Sequence, residues 1–337
     1  MTTPYRVSVV IPTYQRCASV LRALEALARQ TLPPCEYEVI VSIDGSSDGT
    51  RAAIERFPAP YRVQALWQPN RGRAAACNAG IRAASGEVVI LLDDDMEPLP
   101  GFLLAHRFLH PHGSRLGVMG AVPIALDRSS RGASEYIGRR FNAHLEKLAS
   151  PGYELKLRDF YSGNFSIRQA ILLEVGGFDE NFKIYGNEDL ELSIRLRRAG
   201  VQLRYSAEPV ARQHYTKGFA ALTRDNVAKG QTAVLLAEKH RESFADLRLS
   251  TYRQTSRRWQ LVRGGMIAAS TRGGRMPDLV ISLIEWLEKR RLPQMYRCYE
   301  LALDYFFWLG VREALQEDAH VGNEFASLRQ LVRRPRR

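Results

Sequence analysis

The sequence predicts an α/β fold in which a mostly parallel central sheet is flanked by helices and followed by a helical extension. Short apolar runs alternate with stretches of helical periodicity over residues 5–125, and this order is typical of a parallel sheet covered on both faces. The run "VVILL" at 88–92 is apolar at every position, as a strand buried on both sides requires. From about residue 217 the periodicity is entirely helical.

Each element follows from a local pattern of apolar residues. The first helix, for instance, repeats Leu21, Leu24 and Leu27 on one face. Strands are predicted at Tyr5–Ile11, Glu38–Ile43, Arg62–Trp67, Glu87–Leu92, Leu116–Val122 and Val201–Tyr205, with a short one after residue 162. Helices are predicted at Ser19–Gln30, Asp48–Phe57, Ala74–Ala84, Ala133–Leu148 and Leu190–Arg198.

The chain of 337 residues is long enough for one large domain or two unequal ones. We expect one domain over residues 1–216, divided near residue 115, and a helical region over 217–337 whose last residues, "RRPRR", are disordered. No apolar stretch approaches the roughly 18 residues that span a bilayer, and the early first strand argues against a signal peptide. The scattered cysteines form no CxxC pair, which favours a reduced, cytoplasmic setting.

Positive charge is concentrated in the carboxyl-terminal part of the chain. Residues 1–214 carry 26 Lys and Arg against 23 Asp and Glu, whereas residues 215–337 carry 22 against 13. This excess fits either a solvated helical surface or an anionic partner such as a membrane, a nucleic acid or a charged polymer. The aromatics at helical spacing in 296–315 indicate either a packed helical cap, which we favour, or a peripheral membrane face.

Three consecutive acids, Asp93, Asp94 and Asp95, follow the buried strand in "VVILLDDDMEPLP". Neighbouring carboxylates repel one another, so a positive group is expected among them. Mg²⁺ or Mn²⁺ would meet this need, because both ions prefer hard oxygen ligands. The alternative is a strand-end loop whose acids simply face water. His214 could supplement the carboxylates on Mn²⁺, although a lone histidine is more often structural.

Polar residues also stand at other turns of the predicted sheet. Asp44 in "VSIDGSSDGT" ends a strand, where it either accepts a hydrogen bond from a nucleobase or shapes a turn. In "QPNRGRAAACNAG", Asn70 and Gly72 form a turn, and Arg71 and Arg73 flank the start of a helix. A helix start with guanidinium groups suits a phosphate or a nucleotide base, and a tight structural turn is the alternative.

Two acids, Glu188 and Asp189, open the helix in "YGNEDLELSIRLRRAG". Acidic side chains in a first turn complement the helix dipole. One of them could equally serve as a general base. The residues alone leave both interpretations open.

Six motifs along residues 5–214 now point to one family. In order they are "VSVVIPTYQR", "LRALEALARQTLPPCEYEVIVSIDGSSDGT", "NRGRAAACNAG", "LLDDDMEP", "GNFSIRQAILLEVGGFDENF" and "NEDLELSIRLRRAG". Together they resemble the family 2 nucleotide-sugar glycosyltransferases, which have the GT-A (Rossmann-like) fold. The resemblance implies an inverting, hexosyltransferase-type enzyme that uses Mn²⁺ or Mg²⁺. Its donor would be a nucleoside-diphosphate sugar, usually UDP-linked, and its acceptor a hydroxyl of a glycan, a lipid-linked glycan or a secondary metabolite, as in polysaccharide biosynthesis.

The resemblance also implies roles for individual residues. Asp44 matches the residue that reads the base, and Asp189, with Glu188 beside it, matches the general base. Asp95 is the expected metal ligand, with Asp93 and His214 as further ligands. The other expected nucleotide and donor contacts are Pro12, Thr13, Tyr14, Arg16, Asn70, Arg71, Gly72, Asn78, Asp93 and Asp94, while Gly163 and Asn164 match the loop between donor and acceptor. Residues 1–115 become the nucleotide-binding half and 116–216 the acceptor-side half.

Two positions depart from the family pattern, and neither removes an expected role. Ile43 replaces the first of two aspartates that often follow the second strand, and Glu191 stands where many members have Asp. The region from residue 217 onward matches nothing general in the family. We therefore expect a donor and an acceptor as partners, with a homodimer and peripheral membrane contact at the inner face as further expectations.

Two other functions compete with this interpretation. A sugar-phosphate nucleotidyltransferase would also use an α/β sheet and Mg²⁺, but it usually needs a glycine-rich loop after the first strand, and "PTYQRCASV" has no glycine. A basic nucleic-acid-binding protein would fit the net charge of +12. The chain shows neither zinc-finger spacing nor an RNP-type aromatic motif, so no specific nucleic acid is expected.

Overall fold

The computed structural model describes residues 6–126, 132–270, 274–290 and 295–317. Its strands are β1 Val7–Thr13, β2 Tyr37–Asp44, β3 Arg62–Gln68, β4 Val88–Leu92, β5 Met96–Pro98, β6 Leu116–Ala121, β7 Asn164–Arg168 and β8 Gln202–Gln213. Its α-helices are α1 Cys17–Leu27, α2 Thr50–Glu55, α3 Arg73–Ala83, α4 Phe102–Phe108, α5 Gly132–Leu148, α6 Gln169–Glu174, α7 Glu188–Arg198, α8 Phe219–Lys239, α9 Arg257–Ser270, α10 Met276–Arg290 and α11 Met295–Glu317. Strand β8 runs well past the predicted end because its second half pairs with β5, which no local pattern predicted.

The eight described strands form one sheet in the order β3-β2-β1-β4-β7-β6-β8-β5. The first four strands pair in parallel, as predicted, and β6 pairs in parallel with β8. Strand β7 runs antiparallel to both of its neighbours, β4 and β6. The carboxyl ends of β1, β2, β4 and β8 therefore lie at one edge of the sheet, beside the amino end of β7, and ligands of α/β sheets bind at such an edge.

Alternate residues of the strands pack in two hydrophobic clusters, one on each face of the sheet. On β1, Val9 packs in the cluster that holds Leu24 of α1, whereas Val10 packs in the cluster that holds Ile81 of α3. Burying side chains of this size contributes about 1.5–3 kcal/mol each, which fixes the helices on the sheet. Both faces are covered, as the apolar strands predicted.

The chain divides into two compact units. The first comprises the described residues up to Leu126 together with Gly138–Lys183 and Glu188–Tyr215, and it contains the whole sheet. The second comprises the helices after Thr216, the short segment Ile184–Asn187 and the first turn of α5. The domain boundary predicted after residue 216 stays a prediction.

Within the second unit, α8 and α11 pack at very close range. Gly230 and Gly310 permit this approach, since a Cβ atom on either would overlap a backbone carbonyl oxygen of the facing helix. Tyr299, Tyr305 and Trp308 of α11 are almost fully buried. The prediction that the aromatics of 296–315 form a packed core is confirmed for these side chains, and their interpretation as a membrane face is wrong.

Among the described residues, no helix is both long enough and apolar enough to cross a membrane. The disorder predicted for "RRPRR" concerns residues 333–337, which lie outside the described residues.

Candidate active site

The three acids after β4 have different surroundings. The side chain of Asp93 is 32% exposed, against 8% for Asp94 and 13% for Asp95. The backbone N–H of Asp93 donates to the carbonyl oxygen of Gly163 at 2.9 Å, which joins this loop to the start of β7. A Cβ atom at position 163 would overlap the Asp93 carboxylate, so a larger residue there would displace that carboxylate.

Arg16 is the first positive group among these acids. Its Nη1 lies 2.8 Å from Asp94 Oδ1 and 3.3 Å from Asp95 Oδ2. The Thr13 hydroxyl donates to the other oxygen of Asp94 at 2.7 Å. Burial still raises the pKa of Asp94 to about 6, although Arg16 and Thr13 act to lower it. Burial, and then the charge of Asp93, also raise the pKa of Asp95. The cluster is therefore short of positive charge.

Arg73 is the second positive group, and it joins two distant parts of the sequence. Its Nη2 lies 2.7 Å from Asp93 Oδ1, and its Nη1 lies 3.1 Å from Asp189 Oδ1. Glu188 Oε1 is 3.6 Å from Nη1. Burial disfavours the charged form of Arg73, but the surrounding carboxylates, Asp93 foremost, outweigh it and raise its pKa well above the ordinary value. The acids after β4 and the acids that open α7 thus meet at one guanidinium group.

Asp189 is the accessible member of its acidic pair. Its side chain is 26% exposed, whereas that of Glu188 is 4% exposed. Ser162, which is fully buried, donates its hydroxyl to Asp189 Oδ1 at 2.5 Å. Among the described residues, all hydrogen bonds and ion pairs of this carboxylate reach Oδ1. Oδ2 is therefore available to a substrate.

The carboxylate of Asp44 holds the loop that leads into α3. It accepts hydrogen bonds from Gln68 Nε2 at 2.8 Å and from the backbone N–H groups of Arg71 at 2.9 Å and Gly72 at 2.8 Å. Asp44 as a whole is 4% exposed. A carboxylate has about four acceptor positions, so one remains for a base. Asp44 therefore holds this loop, and its expected role towards a base stays a prediction.

The other residues expected to contact the donor divide into exposed and buried positions. Tyr14 is 51% exposed, and Asn70 is exposed as well. Arg71 is exposed too, with its Nη2 2.8 Å from Glu180 Oε2. Pro12 is buried at the end of β1. Tyr14, Asn70 and Arg71 are therefore the most exposed of the expected donor contacts.

Asn78, expected at the donor, and Asn164, expected in the loop between donor and acceptor, both bond to other parts of the chain. Asn78 donates to the carbonyl oxygen of Phe178 at 2.9 Å and accepts from its N–H at 2.7 Å. Asn164 donates to the carbonyl oxygen of Pro209 at 2.9 Å, and its Oδ1 lies 2.7 Å from His106 Nε2. Both residues are at most 4% exposed. Their amides are buried and bonded within the fold, and their expected roles in the site stay predictions.

His214 lies near the acids, but its ring faces another partner. Its backbone N–H donates to the Asp95 carbonyl oxygen at 2.9 Å, while Nε2 lies 2.7 Å from Glu97 Oε2. The Asp95 carboxylate is instead approached by Gln213 Nε2, at 3.4 Å from each oxygen. Over the described part of the chain, no group of three or more His, Cys, Asp and Glu side chains is arranged to hold a metal ion. The role of Asp93, Asp95 and His214 as metal ligands stays a prediction.

Comparison with known families identifies the chain. The family described as "Glycosyl transferase family 2" matches residues 8–176, about half of the chain. The chain belongs to glycosyl transferase family 2. A second family, described as "N-terminal domain of galactosyltransferase", matches residues 143–217. The two matches together include Asp93, Arg73 and Asp189, which meet in the cleft.

Named relatives of this family 2 chain are glycosyltransferases. Validoxylamine A glucosyltransferase of Streptomyces hygroscopicus subsp. limoneus is 32% identical over 225 residues, which are 60% of this chain and 50% of that protein. Pre-mycofactocin glycosyltransferase of Mycobacterium tuberculosis is 28% identical over 305 residues, which are 87% of this chain and 58% of that protein. The chain thus spans little more than half the length of these relatives.

Solved structures show the same fold. The mannosyltransferase PcManGT from Pyrobaculum calidifontis, in complex with GDP-Man and Mn²⁺, has a TM-score of 0.58 at 19% identity, over 94% of this chain and 90% of that one. Residues 1–349 of TarS from S. aureus have a TM-score of 0.51 at 17% identity, over 94% and 93%. These likenesses confirm the predicted fold class.

Sequence reasoning missed part of this family 2 cleft. Ser162 and Gln213 were not recognised, and Arg73 was noted only for its place at a helix start. Arg73 meets Ser162 across 89 positions and Asp189 across 116. Contacts over such separations leave no local pattern. Ser162 and Gln213 could have been noticed only as sequence neighbours of expected site residues. Ser162 precedes Gly163 and Asn164, and Gln213 precedes His214.

Proposed function

We propose that this family 2 chain is an inverting glycosyltransferase that moves a sugar from a nucleoside-diphosphate sugar, preferably UDP-linked, to an acceptor hydroxyl. One observation carries the proposal. Asp93, at the end of β4, and Asp189, at the start of α7, both contact the guanidinium of Arg73. A single displacement needs a donor-binding group and a base on different sides of the reacting carbon, and two carboxylates from separate elements in one cleft supply them.

The donor side would be formed by the edge of the sheet. Tyr14, Asn70 and Arg71 are exposed to a nucleotide. Asp44 holds the loop of Asn70 and Arg71 through the N–H groups of Arg71 and Gly72. Arg16 carries a guanidinium that can also bind a diphosphate, since its fork matches phosphate oxygens. UDP is preferred on the family resemblance alone.

The acids also fit a divalent ion of the Mg²⁺ or Mn²⁺ type, which commonly binds through one or two carboxylates and the substrate's phosphates. The supporting observation is that Asp94 and Asp95 share one guanidinium nitrogen, Nη1 of Arg16. The raised pKa of both acids, caused first by burial, agrees with this shortage of positive charge. Asp95, with Asp93 beside it, would hold the ion. A bound ion offsets the charge that develops on the departing nucleoside diphosphate.

The acceptor side would be served by Asp189. Its Oδ2 takes the proton from the acceptor hydroxyl while the hydroxyl oxygen bonds to the anomeric carbon and the bond from that carbon to the phosphate oxygen breaks. Attack from the face opposite the leaving group inverts the configuration. Arg73 and Ser162 hold Oδ1 and thereby orient the carboxylate.

Peripheral membrane contact belongs to the proposal as well, with α10 rather than α11 as the contact surface. Leu279, Leu283 and Trp286 lie on one face of α10 at helical spacing and are 61%, 53% and 47% exposed. An exposed apolar row beside basic side chains suits the surface of an anionic bilayer. Such a location would suit a lipid-linked acceptor.

A screen of nucleotide sugars tests the function. UDP-, GDP- and dTDP-sugars are added with and without Mn²⁺, and thermal unfolding and nucleotide release are followed. A donor at 100 times its Kd should stabilise the fold by about 2.7 kcal/mol, and slow hydrolysis should release nucleoside diphosphate. Release of pyrophosphate would show a nucleotidyltransferase instead. Absence of both stabilisation and turnover with every donor would contradict the proposal.

A further inference from the structure

We propose that Arg73 is the positioning residue that holds the donor-side carboxylate Asp93 and the base Asp189 together across the cleft. The inference rests on the proposed function and gives a task to a residue outside the expected site. Nη2 of Arg73 contacts Asp93 Oδ1 at 2.7 Å and the Ser162 hydroxyl at 3.0 Å. Nη1 contacts Asp189 Oδ1 at 3.1 Å. Ser162 closes a ring of contacts by donating to the same oxygen of Asp189.

The place of Arg73 is fixed on several sides. It is the first residue of α3, and the loop before it is tied to the Asp44 carboxylate through the N–H of Gly72. The following residues 74–77 are buried against the sheet. The guanidinium lies over the ring of Phe178, with 5.8 Å from its carbon to the ring centre, and the side chain is 22% exposed. A charge held this firmly can set the separation of the groups that it contacts.

The arrangement solves a problem of charge. Asp93, Glu188 and Asp189 are like charges in a partly buried cleft, where repulsion is weakly screened. The guanidinium of Arg73 lies between these carboxylates and offsets their repulsion. Because its N–H groups are planar and fixed, it also sets the orientation and the separation of the carboxylates that it contacts. By engaging Oδ1 of Asp189, Arg73 leaves Oδ2 for the acceptor hydroxyl. Catalysis depends on such placement, because a misplacement of about 1 Å can cost about 10²-fold in rate.

The first arm of the test measures bridging without any sugar transfer. Thermal unfolding is compared for Arg73→Ala, Asp93→Asn, Asp189→Asn and the two double variants that contain Arg73→Ala. Because an aspartate without its guanidinium is a destabilising charge, each double variant should lose less in Tm than the sum of its two single losses. Additive losses would overturn the proposal. Arg73→Lys, which keeps the charge, replaces Arg73→Ala in the same cycles if the alanine variant does not fold.

The second arm separates positioning from donor binding. Arg73→Ala should lower kcat by about 10²-fold and change the donor KM by no more than about threefold. Arg73→Lys should lose less, and millimolar guanidinium should restore part of the activity of Arg73→Ala while leaving the wild type unchanged. Arg51→Ala, which removes an exposed guanidinium from α2, is the matched control.

The possible results distinguish the role of Arg73 from the proposed function. A higher donor KM with normal kcat would place Arg73 on the donor and overturn the proposal, as would normal kinetics in Arg73→Ala. A wild-type protein that turns over no nucleotide sugar would contradict the proposed function alone, since the unfolding arm still decides whether Arg73 joins the two acids.

Discussion

Arg16 lies 2.8 Å from Asp94, Nη1 to Oδ1, and yet the carboxyl keeps a raised pKa of about 6. The three acids after β4 were expected to lie near a positive group. In the structure, guanidinium groups from two different helix starts contact them. Arg16 contacts the carboxylates of Asp94 and Asp95, and Arg73 contacts that of Asp93. The remaining shortage of charge is what a cation or a donor-bound ion would supply.

Asp94 is expected to stabilise the fold less as the pH rises. Its pKa is about 6 in the fold against an ordinary 3.8, so folding favours the protonated form. Its stabilising contribution is complete below the ordinary pKa and is lost as the pH rises through the folded pKa, a change of about 3 kcal/mol at most. Urea unfolding of wild type and Asp94→Asn across this window should show a steeper decline for the wild type. Parallel pH curves would contradict this expectation.

The buried histidines act in the opposite direction. Burial lowers the pKa of His106 to about 3 and, together with the charge of Arg168, that of His110 to about 4. The unfolded chain takes up these protons near pH 6.5, so stability present above about pH 6.5 is lost as the pH falls towards 4.

The variant His110→Gln isolates this effect. Its free energy of unfolding should fall less between neutral pH and the folded pKa of about 4 than that of the wild type. Urea titrations at several pH values measure the difference. An unchanged slope would mean that His110 is not neutral in the fold.

Local sequence patterns predicted the strands of the sheet better than the orientation of the polar side chains near the site. Apolar runs identified the parallel strands, and the rule that ligands bind at their carboxyl ends placed Asp93–Asp95 at the correct edge. The same patterns cannot say which way a polar side chain faces. Asn78 and Asn164 stand in the matched motifs, yet both turn inward and hold loops. Orientation depends on partners about a hundred and about sixty positions away, Phe178 and His106.

The bridging role of Arg73 was beyond sequence reasoning for a related reason. An arginine at a helix start suits any anion, so the residue type alone suggested a phosphate. The fold supplies three carboxylates at the same spot, and the guanidinium pairs with them instead. Choosing between a substrate anion and a protein anion needs the tertiary structure.

Asp189→Asn should remove the base and leave the donor site. The carboxamide oxygen can still accept from Arg73 and Ser162, but the side chain cannot take up a proton. We expect kcat to fall by about 10²–10⁴-fold, with nucleotide affinity retained, as measured by steady-state kinetics and nucleotide titration. Glu55→Gln, at an exposed ion pair on α2, serves as the control. Turnover at the wild-type level would remove Asp189 from the mechanism.

Asp95→Ala should weaken the Mn²⁺-dependent part of donor binding more than His214→Ala does. The Asp95 carboxylate has only long contacts, at 3.3 Å to Arg16 and 3.4 Å to Gln213, whereas the His214 ring lies 2.7 Å from Glu97. Thermal stabilisation by the donor, with Mn²⁺ and with excess chelator, measures the effect in each variant. If the wild type binds the donor equally well in chelator, the metal assignment is wrong.

The exposed row on α10 should bind anionic vesicles. Leu279, Leu283 and Trp286 form its apolar part, and the Arg290 guanidinium lies 4.0 Å from the centre of the Trp286 ring. Residues 251–290 carry eight Lys and Arg against three Asp and Glu, which favours an anionic over a neutral surface. The protein should therefore sediment with vesicles that contain phosphatidylglycerol and much less with phosphatidylcholine alone. Leu283→Glu should abolish this binding, whereas Leu173→Glu, at a leucine of α6 that is 50% exposed, should not. Equal loss in both variants, or a concentration-dependent dimer that Leu283→Glu dissociates, would show that lipid is not what covers this face.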